Sequence, residues 1–346
     1  MPRVDELIER LGKAKYLTTL DLCKGYWQVP LTDSAKNLTA FRVPSGLFHF
    51  KYMPFGPHGA ATFQRLVDRV LQGLDNCAAA YIDDIVIFSE TWEQHLGHLA
   101  DVFERIPRGL VVNAEKCQIA KQEVSFLGYV AGGGSVRPQV DKLQAILSCA
   151  PPSTKKSVLS FIGLIGWYRR FIPNFAGRAA PLTDLTKKIS SSKVKWTPEC
   201  EQAFQDLKSC LCKDPVLQSP NFDLPFVVQT DTSELGLGAV LLQGDGENRH
   251  SVQYISRKLF PRETKYSTIK KEALAIKWAL DTLTHYLIGK DFVLETDHQA
   301  LQWLRKIRDT NARITCWYLY LDPFKFDIQY KAGILNVMAD FLSHHS

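Results

Sequence analysis

Apolar and polar positions change period several times along the 346 residues. In YLTTLDLCKGYWQVPL (16–31), residues 16 to 22 alternate like a half-buried strand, with Asp21 near its end. AAAYIDDIVIFS (78–89) holds two apolar runs broken by Asp83 and Asp84, which predicts a β-hairpin. PQVDKLQAILSCA (138–150), KKSVLSFIGLIGWYRRFIPNF (155–175) and TPECEQAFQDLKSCL (197–211) space their apolar residues helically. The last has Thr197 as N-cap and Pro198 at the first helical position. PFVVQTDTSELGLGAVLLQ (225–243) predicts strand, turn, strand, with Asp231 where the first strand ends. STIKKEALAIKWALDTLTHYL (267–287) predicts a helix in which Ile269, Ala273, Ile276, Leu280, Leu283 and Leu287 form one buried stripe flanked by Glu272. FVLETDHQAL (292–301) predicts a strand ending in Asp297, and NVMADFLS (336–343) a final helix with Asn336 as N-cap and Asp340 in its first turn.

Two punctuated stretches divide the chain. AGGGSVRPQ (131–139) reads as a loop and KDPVLQSPNFDLP (213–225) as a linker. The expected domains are therefore 1–137, mixing strands and helices; 138–220, helical; and 221–346, alternating β-branched runs with helices as an α/β sheet does.

Charge sharpens this division. Residues 138–220 carry 12 Lys/Arg against 6 Asp/Glu, while each flanking part carries 15 of either sign, so the whole net charge of +6 lies in the middle. A basic helical element between two carboxylate-bearing parts reads as a grip on nucleic-acid phosphates. Composition is that of a soluble globular protein, 45% hydrophobic and 23% charged. No apolar run reaches membrane-spanning length and residues 1–20 lack a signal-peptide core. The expectation is an intracellular protein of cytoplasm or nucleus, not secreted and not membrane-bound. The eight cysteines form no Cys-x-x-Cys pair, and Cys210 and Cys212 are too close for a zinc half-site. Reduced thiols acting mostly as small core filler are expected.

The chemistry begins with Asp83-Asp84. Two unit charges about 4 Å apart repel by about 1 kcal/mol in water and about 4 kcal/mol near a protein surface. A divalent cation removes that repulsion. Asp21 supplies a third acid on a second sheet element, enough to hold two Mg²⁺ ions for in-line phosphoryl transfer. The last part repeats the theme with Asp231, Glu272, Asp297 and Asp340, two at strand ends and two on helices. No protein nucleophile is needed for such chemistry, and no Ser-His or Cys-His arrangement is seen.

These motifs together resemble the polymerase region of gypsy-type long-terminal-repeat retrotransposons, from about residue 1 to 343. LDLCKGYWQVPL is similar to reverse-transcriptase motif A, FKYMPFG with ATFQRLVDRVL to motif B, YIDDIVIFS to motif C, FLGYV to the primer grip, and FIGLIGWYRRFIPNFAGRAAPLTDLTKK to the thumb. The resemblance implies an α+β reverse-transcriptase palm with partial fingers (1–137), a helical thumb and linker (138–220), and an α/β ribonuclease H-like domain with a mixed sheet (221–346). It implies that Asp21, Asp83 and Asp84 bind metal and catalyse RNA-directed DNA synthesis. Asp231, Glu272, Asp297 and Asp340 would do so for hydrolysis of the RNA strand of RNA–DNA hybrids. Each site would take two Mg²⁺, with Mn²⁺ as an alternative. Tyr26 falls at the steric-gate position, Phe55-Gly56 under the templating base pair, and Leu127-Gly128 at the primer end. The implied partners are RNA–DNA hybrid, an RNA template with a DNA or tRNA primer, and deoxynucleoside triphosphates.

Three departures bear on these expectations. The family's upstream fingers strands, protease and integrase have no counterpart in these 346 residues, so polymerase is expected to be the weaker activity. PHGAA between Gly56 and Thr62 is one residue shorter than usual, and Pro57 re-aims a helix start there. Lys270 stands where the family commonly has Glu, a change of only about 0.3–1 kcal/mol against the helix dipole. The competing reading is an idle or domesticated fragment that only binds nucleic acid.

Overall fold

The computed structural model describes residues 1–56, 59–106, 110–187, 194–212, 216–297 and 312–331. Pro57, Asn336 and Asp340 lie outside them. The chain forms two compact units, Met1–Val136 and Arg137–Ser346.

The first unit runs α1 (Val4–Leu11), β1 (Tyr16–Asp21), α2 (Asp33–Leu38), β2 (Phe41–Val43), β3 (Gly46–Phe48), α3 (Gly59–Val70), β4 (Ala78–Tyr81), β5 (Asp84–Ser89), α4 (Trp92–Arg105), β6 (Gln118–Lys121), β7 (Glu123–Phe126) and β8 (Tyr129–Gly132). Its main sheet has the order β4-β5-β1-β6, antiparallel throughout. Leu20, Ile85 and Ile87 of the central strands bury against Phe63 and Val67 of α3 and Val102 of α4. This explains why the apolar runs around the Asp pair are strands: each fills a covered sheet face. β2–β3 is a separate two-stranded hairpin, and β7–β8 is an antiparallel hairpin belonging to a second sheet of four strands.

β9 (Ser135–Pro138) spans the boundary, and the second unit continues with α5 (Val140–Leu147), α6 (Lys155–Gly166), α7 (Phe175–Arg178), α8 (Ala180–Asp184) and α9 (Pro198–Cys212). Next come β10 (Leu217–Gln218), β11 (Phe226–Thr232), β12 (Gly236–Gln243), β13 (His250–Lys258), α10 (Thr268–Thr282), α11 (Thr284–Leu287), β14 (Asp291–Thr296), α12 (Ala312–Leu321) and β15 (Lys325–Tyr330). Five strands form a mixed sheet, β13-β12-β11-β14-β15, antiparallel in its first half and parallel from β11 to β15. α10 lays Ala273, Ile276, Ala279 and Leu280 on the core formed by Phe226, Val228, Ala239 and Leu241.

Four local expectations change. The helix expected over 155–175 stops at Gly166 and passes through a 3-10 turn, Arg169–Phe171, after which Pro173 holds Ile172 in the extended region (φ −109°, ψ 109°). The loop at 131–139 contains the end of β8 and all of β9. Ile269 is exposed, since the buried face of α10 begins at Glu272. Of the eight free cysteines only Cys77 and Cys200 are buried, so most are not core filler. Thr197 does cap α9, accepting from the Cys200 amide at 3.4 Å.

Candidate active sites

The first carboxylate set follows from strand register. β1 and β5 pair antiparallel with Asp21 opposite Asp84, and β4 returns with Tyr81 opposite Asp84. Ile82 and Asp83 are therefore the two central residues of a tight turn. The Leu22 amide donates to the Asp83 carbonyl at 2.9 Å, tying the turn to the end of β1. Ile82 has φ +58°, in the left-handed region. For a β-branched residue that is strained, at a cost of about 1–3 kcal/mol. Like charges opposite each other in a sheet add to it. Burial, then Asp83 and Asp21, push the Asp84 carboxyl up to about 6, with Lys116 opposing. Lys116 Nζ lies 3.4 Å from Asp21 Oδ2, a cation at the mouth of the set.

Beside this turn is a small cavity of about 80 Å³ lined by Lys24, Gly25, Tyr26, Phe55, Phe63, Ile82 and Asp83. The Tyr26 ring meets Phe55 and Phe63 edge-on, at 5.4 and 5.6 Å between centroids. Burial and the nearby Asp83 raise the Tyr26 hydroxyl pKa. Gly25 is required here, because a Cβ would stand 2.6 Å from Phe63 Cζ. Phe55 is 75% exposed and Gly56 faces open space. Leu127 and Gly128 are the central residues of the β7–β8 hairpin turn, both left-handed at φ +51° and +83°. Glycine relieves that strain at one of the two positions.

The second set is tighter. Asp231 sits one residue before the end of β11, Glu272 in the second turn of α10, and Asp297 immediately after β14. Each offers one ligand oxygen, and these lie within 4.8 Å of one another. Among the described residues no other group of three His, Cys, Asp or Glu is so close, the first carboxylate set included. Glu272 is 4% exposed; its Oε1 accepts from the Thr232 hydroxyl, and its Oε2 is buried with no hydrogen-bond partner among the described residues. Burial, then Asp297 and Asp231, push its carboxyl up to about 8, with the Thr232 bond opposing. An all-carboxylate donor set with a buried unsatisfied oxygen fits a hard divalent cation. The expected fourth member, Asp340, falls outside the described residues.

Three residues at these sites carried no signal in the sequence pattern: Gln64, Lys116 and Thr232. Each acts on an acid or turn far from it in the chain. Their roles become visible only in the fold, where Gln64 is buried between the core positions Phe63 and Val67.

Comparison with known proteins agrees with both halves. Residues 1–131 match the family described as reverse transcriptase (RNA-dependent DNA polymerase), and residues 196–294 the RNase H-like domain found in reverse transcriptase. The chain belongs to the reverse transcriptase and RNase H-like region of gypsy-type retrotransposon Pol polyproteins. It is 40% identical over its whole length to the retrovirus-related Pol polyprotein from transposon 297 of Drosophila melanogaster, covering 33% of that protein. To the Pol polyprotein from transposon gypsy of the same organism it is 37% identical, again over its whole length and 34% of the relative. The chain thus spans about a third of the length of these curated relatives. In fold it is similar to the foamy viral protease-reverse transcriptase solved with double-stranded DNA, with a TM-score of 0.82 at 24% identity over 96% of this chain and 59% of that one. A second foamy viral structure, solved with RNA/DNA hybrid, gives 0.79 at 24% identity over 95% of this chain and 45% of that one. The palm, thumb and mixed-sheet RNase H-like architecture expected from the Pol resemblance is the one observed.

Proposed function

We propose that this Pol segment cleaves the RNA strand of RNA–DNA hybrids through Asp231, Glu272, Asp297 and Asp340, and extends primers on RNA templates through Asp21, Asp83 and Asp84. The observation that carries the reading is the meeting of Asp231, Glu272 and Asp297 within 4.8 Å, with the Glu272 carboxyl raised to about 8. Strongly perturbed acids gathered at one point mark chemistry rather than stability. Within the second unit we assign 138–220 to a thumb and 221–346 to the ribonuclease H-like domain. The foamy viral structures with duplex DNA and with hybrid support duplex nucleic acid as the partner.

Both sets would hold Mg²⁺, two ions per site; when bound, such ions activate the attacking oxygen and stabilise the leaving one. The chain's own residues do the rest. Asp231 and Asp297 extend from the C-terminal ends of the neighbouring central strands β11 and β14 and fix the acids there. Glu272 closes the set from the helix above, held by Thr232. In the first unit the Tyr26 ring, wedged between Phe55 and Phe63, forms the wall against which a sugar lacking a 2′-hydroxyl fits. Leu127 and Gly128 present the hairpin turn to the primer end. Deoxynucleoside triphosphates and a DNA or tRNA primer complete the polymerase reading.

The test is to incubate the chain with Mg²⁺ and a labelled RNA–DNA hybrid, then with a primed RNA template and deoxynucleotides. Hybrid-specific cleavage lost in Asp231→Asn is expected. Hybrid binding without cleavage or extension, in a folded protein with Mg²⁺, would replace this reading with that of a domesticated nucleic-acid binder.

A further inference from the structure

Gln64 on α3 is 1% exposed and uses its whole side-chain amide on the turn that carries the Asp pair. Its Oε1 accepts from the Ile82 amide at 2.7 Å, and its Nε2 donates to the Ala80 carbonyl at 3.0 Å and to Asp68 Oδ1 at 2.8 Å. β4 is the edge strand of its sheet, so these groups have no neighbouring strand to bond. In an extended strand the carbonyl of one residue and the amide two residues on point to the same side. The Gln64 amide therefore replaces one rung of a missing strand. It does so where the backbone is strained, at left-handed Ile82, immediately before Asp83 and Asp84.

The residue type is dictated by these contacts. Asn is one methylene too short to span from the same helix position. Glu lacks the donors for Ala80 and Asp68 and would add a charge beside two carboxylates. Asp68 Oδ1 accepts the second Nε2–H hydrogen bond and so sets which end of the amide faces Ile82.

We propose that Gln64 is a positioning residue of the polymerase site: by clamping Ala80 and Ile82 it holds the turn that aims Asp83 and Asp84, and so sets the site's affinity for divalent metal without touching metal or substrate. This rests on the assignment of Asp21, Asp83 and Asp84 to a metal-dependent polymerase site.

The decisive variant is Gln64→Met, which keeps the length and apolar packing of the side chain and removes only the amide. It is made in the full chain carrying Asp231→Asn and Glu272→Gln, so that the second carboxylate set no longer dominates metal binding. Mn²⁺ binding is read by electron paramagnetic resonance, with Asp83→Asn marking the site. Gln64→Met is expected to weaken the Asp83-dependent Mn²⁺ site by about tenfold, the size of one or two lost hydrogen bonds. In the chain with its second set intact, Gln64→Met should raise the Mg²⁺ needed for half-maximal primer extension by a similar factor. The KM for primed template and the rate of hybrid cleavage should stay within about twofold, as for a residue outside both contacts. An unchanged Mn²⁺ affinity in a folded Gln64→Met protein overturns the proposal. Absence of any Asp83-dependent Mn²⁺ site in the parent overturns the polymerase assignment itself, and the proposal with it.

Discussion

Glu272→Gln should make the metal-free protein more stable at alkaline pH while abolishing its cleavage of hybrids. Glu272 is buried beside Asp231 and Asp297, and its carboxyl is raised from 4.5 to about 8. A group whose pKa is higher folded than unfolded contributes stability that is fully present below the unfolded value and lost as pH rises through the folded one. For Glu272 the loss therefore runs from about pH 4.5 to about pH 8. At about 1.4 kcal/mol per pH unit the bound is roughly 4–5 kcal/mol, and relaxation around the ion reduces the expected effect to about 2–4 kcal/mol. Gln carries no charge and escapes this loss. Its carbonyl keeps the Thr232 bond, and its NH₂ gives a donor where Oε2 has no partner among the described residues. Urea unfolding in EDTA should give curves within about 1 kcal/mol of each other at pH 5 and about 2–4 kcal/mol apart at pH 9, the variant being more stable. Added Mg²⁺ should reverse the order. A ligand at a hundred times its Kd stabilises by about 2.7 kcal/mol, and the variant should forfeit most of that. A variant less stable than the parent at pH 9 in EDTA, or one with the parent's full response to Mg²⁺, would refute the reasoning.

Asp83→Asn should abolish primer extension and leave hybrid cleavage within about twofold, since the two carboxylate sets lie in different compact units; gel assays of both substrates on one preparation check this. Neutralising Lys156 and Arg169, both exposed in the basic middle segment, should lower the slope of log K against log salt for duplex binding by about 2. Arg170 belongs to a different class: it is 4% exposed, so Arg170→Ala should cost stability in urea unfolding and leave the salt slope unchanged. Gly25→Ala should destabilise the first unit by about 1–3 kcal/mol, because its Cβ would meet Phe63 Cζ at 2.6 Å, and raise the KM for deoxynucleotides as the Tyr26 wall shifts.

The acids were legible in the sequence because each ends or interrupts a periodic apolar run. Asp21, Asp83 and Asp84 are at strand ends of the first sheet, and Asp231 and Asp297 at strand ends of the second. Periodicity also located α9, α10 and three strands of the five-stranded sheet, β11, β12 and β14, but not β13 or β15. It could not show what supports the acids, because that support is non-local. Gln64 reaches Ile82 across 18 residues, Thr232 reaches Glu272 across 40, and Lys116 lies 95 positions from Asp21. Nor could charge counting separate Arg169, which is exposed, from Arg170 and Arg178, which are buried, though all three enter the same net charge. Arg178 pairs with Asp206 and donates to the Pro173 carbonyl, work done inside the fold rather than on a phosphate.

The two carboxylate sets differ in how their repulsion is carried. In the first unit burial is partial: Asp83 is exposed, Asp21 and Asp84 are half-buried, Asp84 is raised only to about 6, and Lys116 offsets part of the charge. The strain is instead placed in the backbone, at left-handed Ile82, and offset by the Gln64 clamp. In the second unit β11 stays regularly paired with β12 through Asp231, and the penalty is electrostatic, concentrated on buried Glu272. A cation relieves the second kind of penalty directly, by supplying the missing charge. It relieves the first only if the turn is already in place. Metal should therefore raise the stability of the second unit more than that of the first, and the first should depend more on the packing of its α3 clamp. Differential scanning of the full chain with and without Mg²⁺, in the Asp83→Asn and Glu272→Gln backgrounds, separates the two contributions. A larger Mg²⁺-dependent shift surviving in Glu272→Gln than in Asp83→Asn would show that the assignment of backbone strain to one site and charge to the other is reversed.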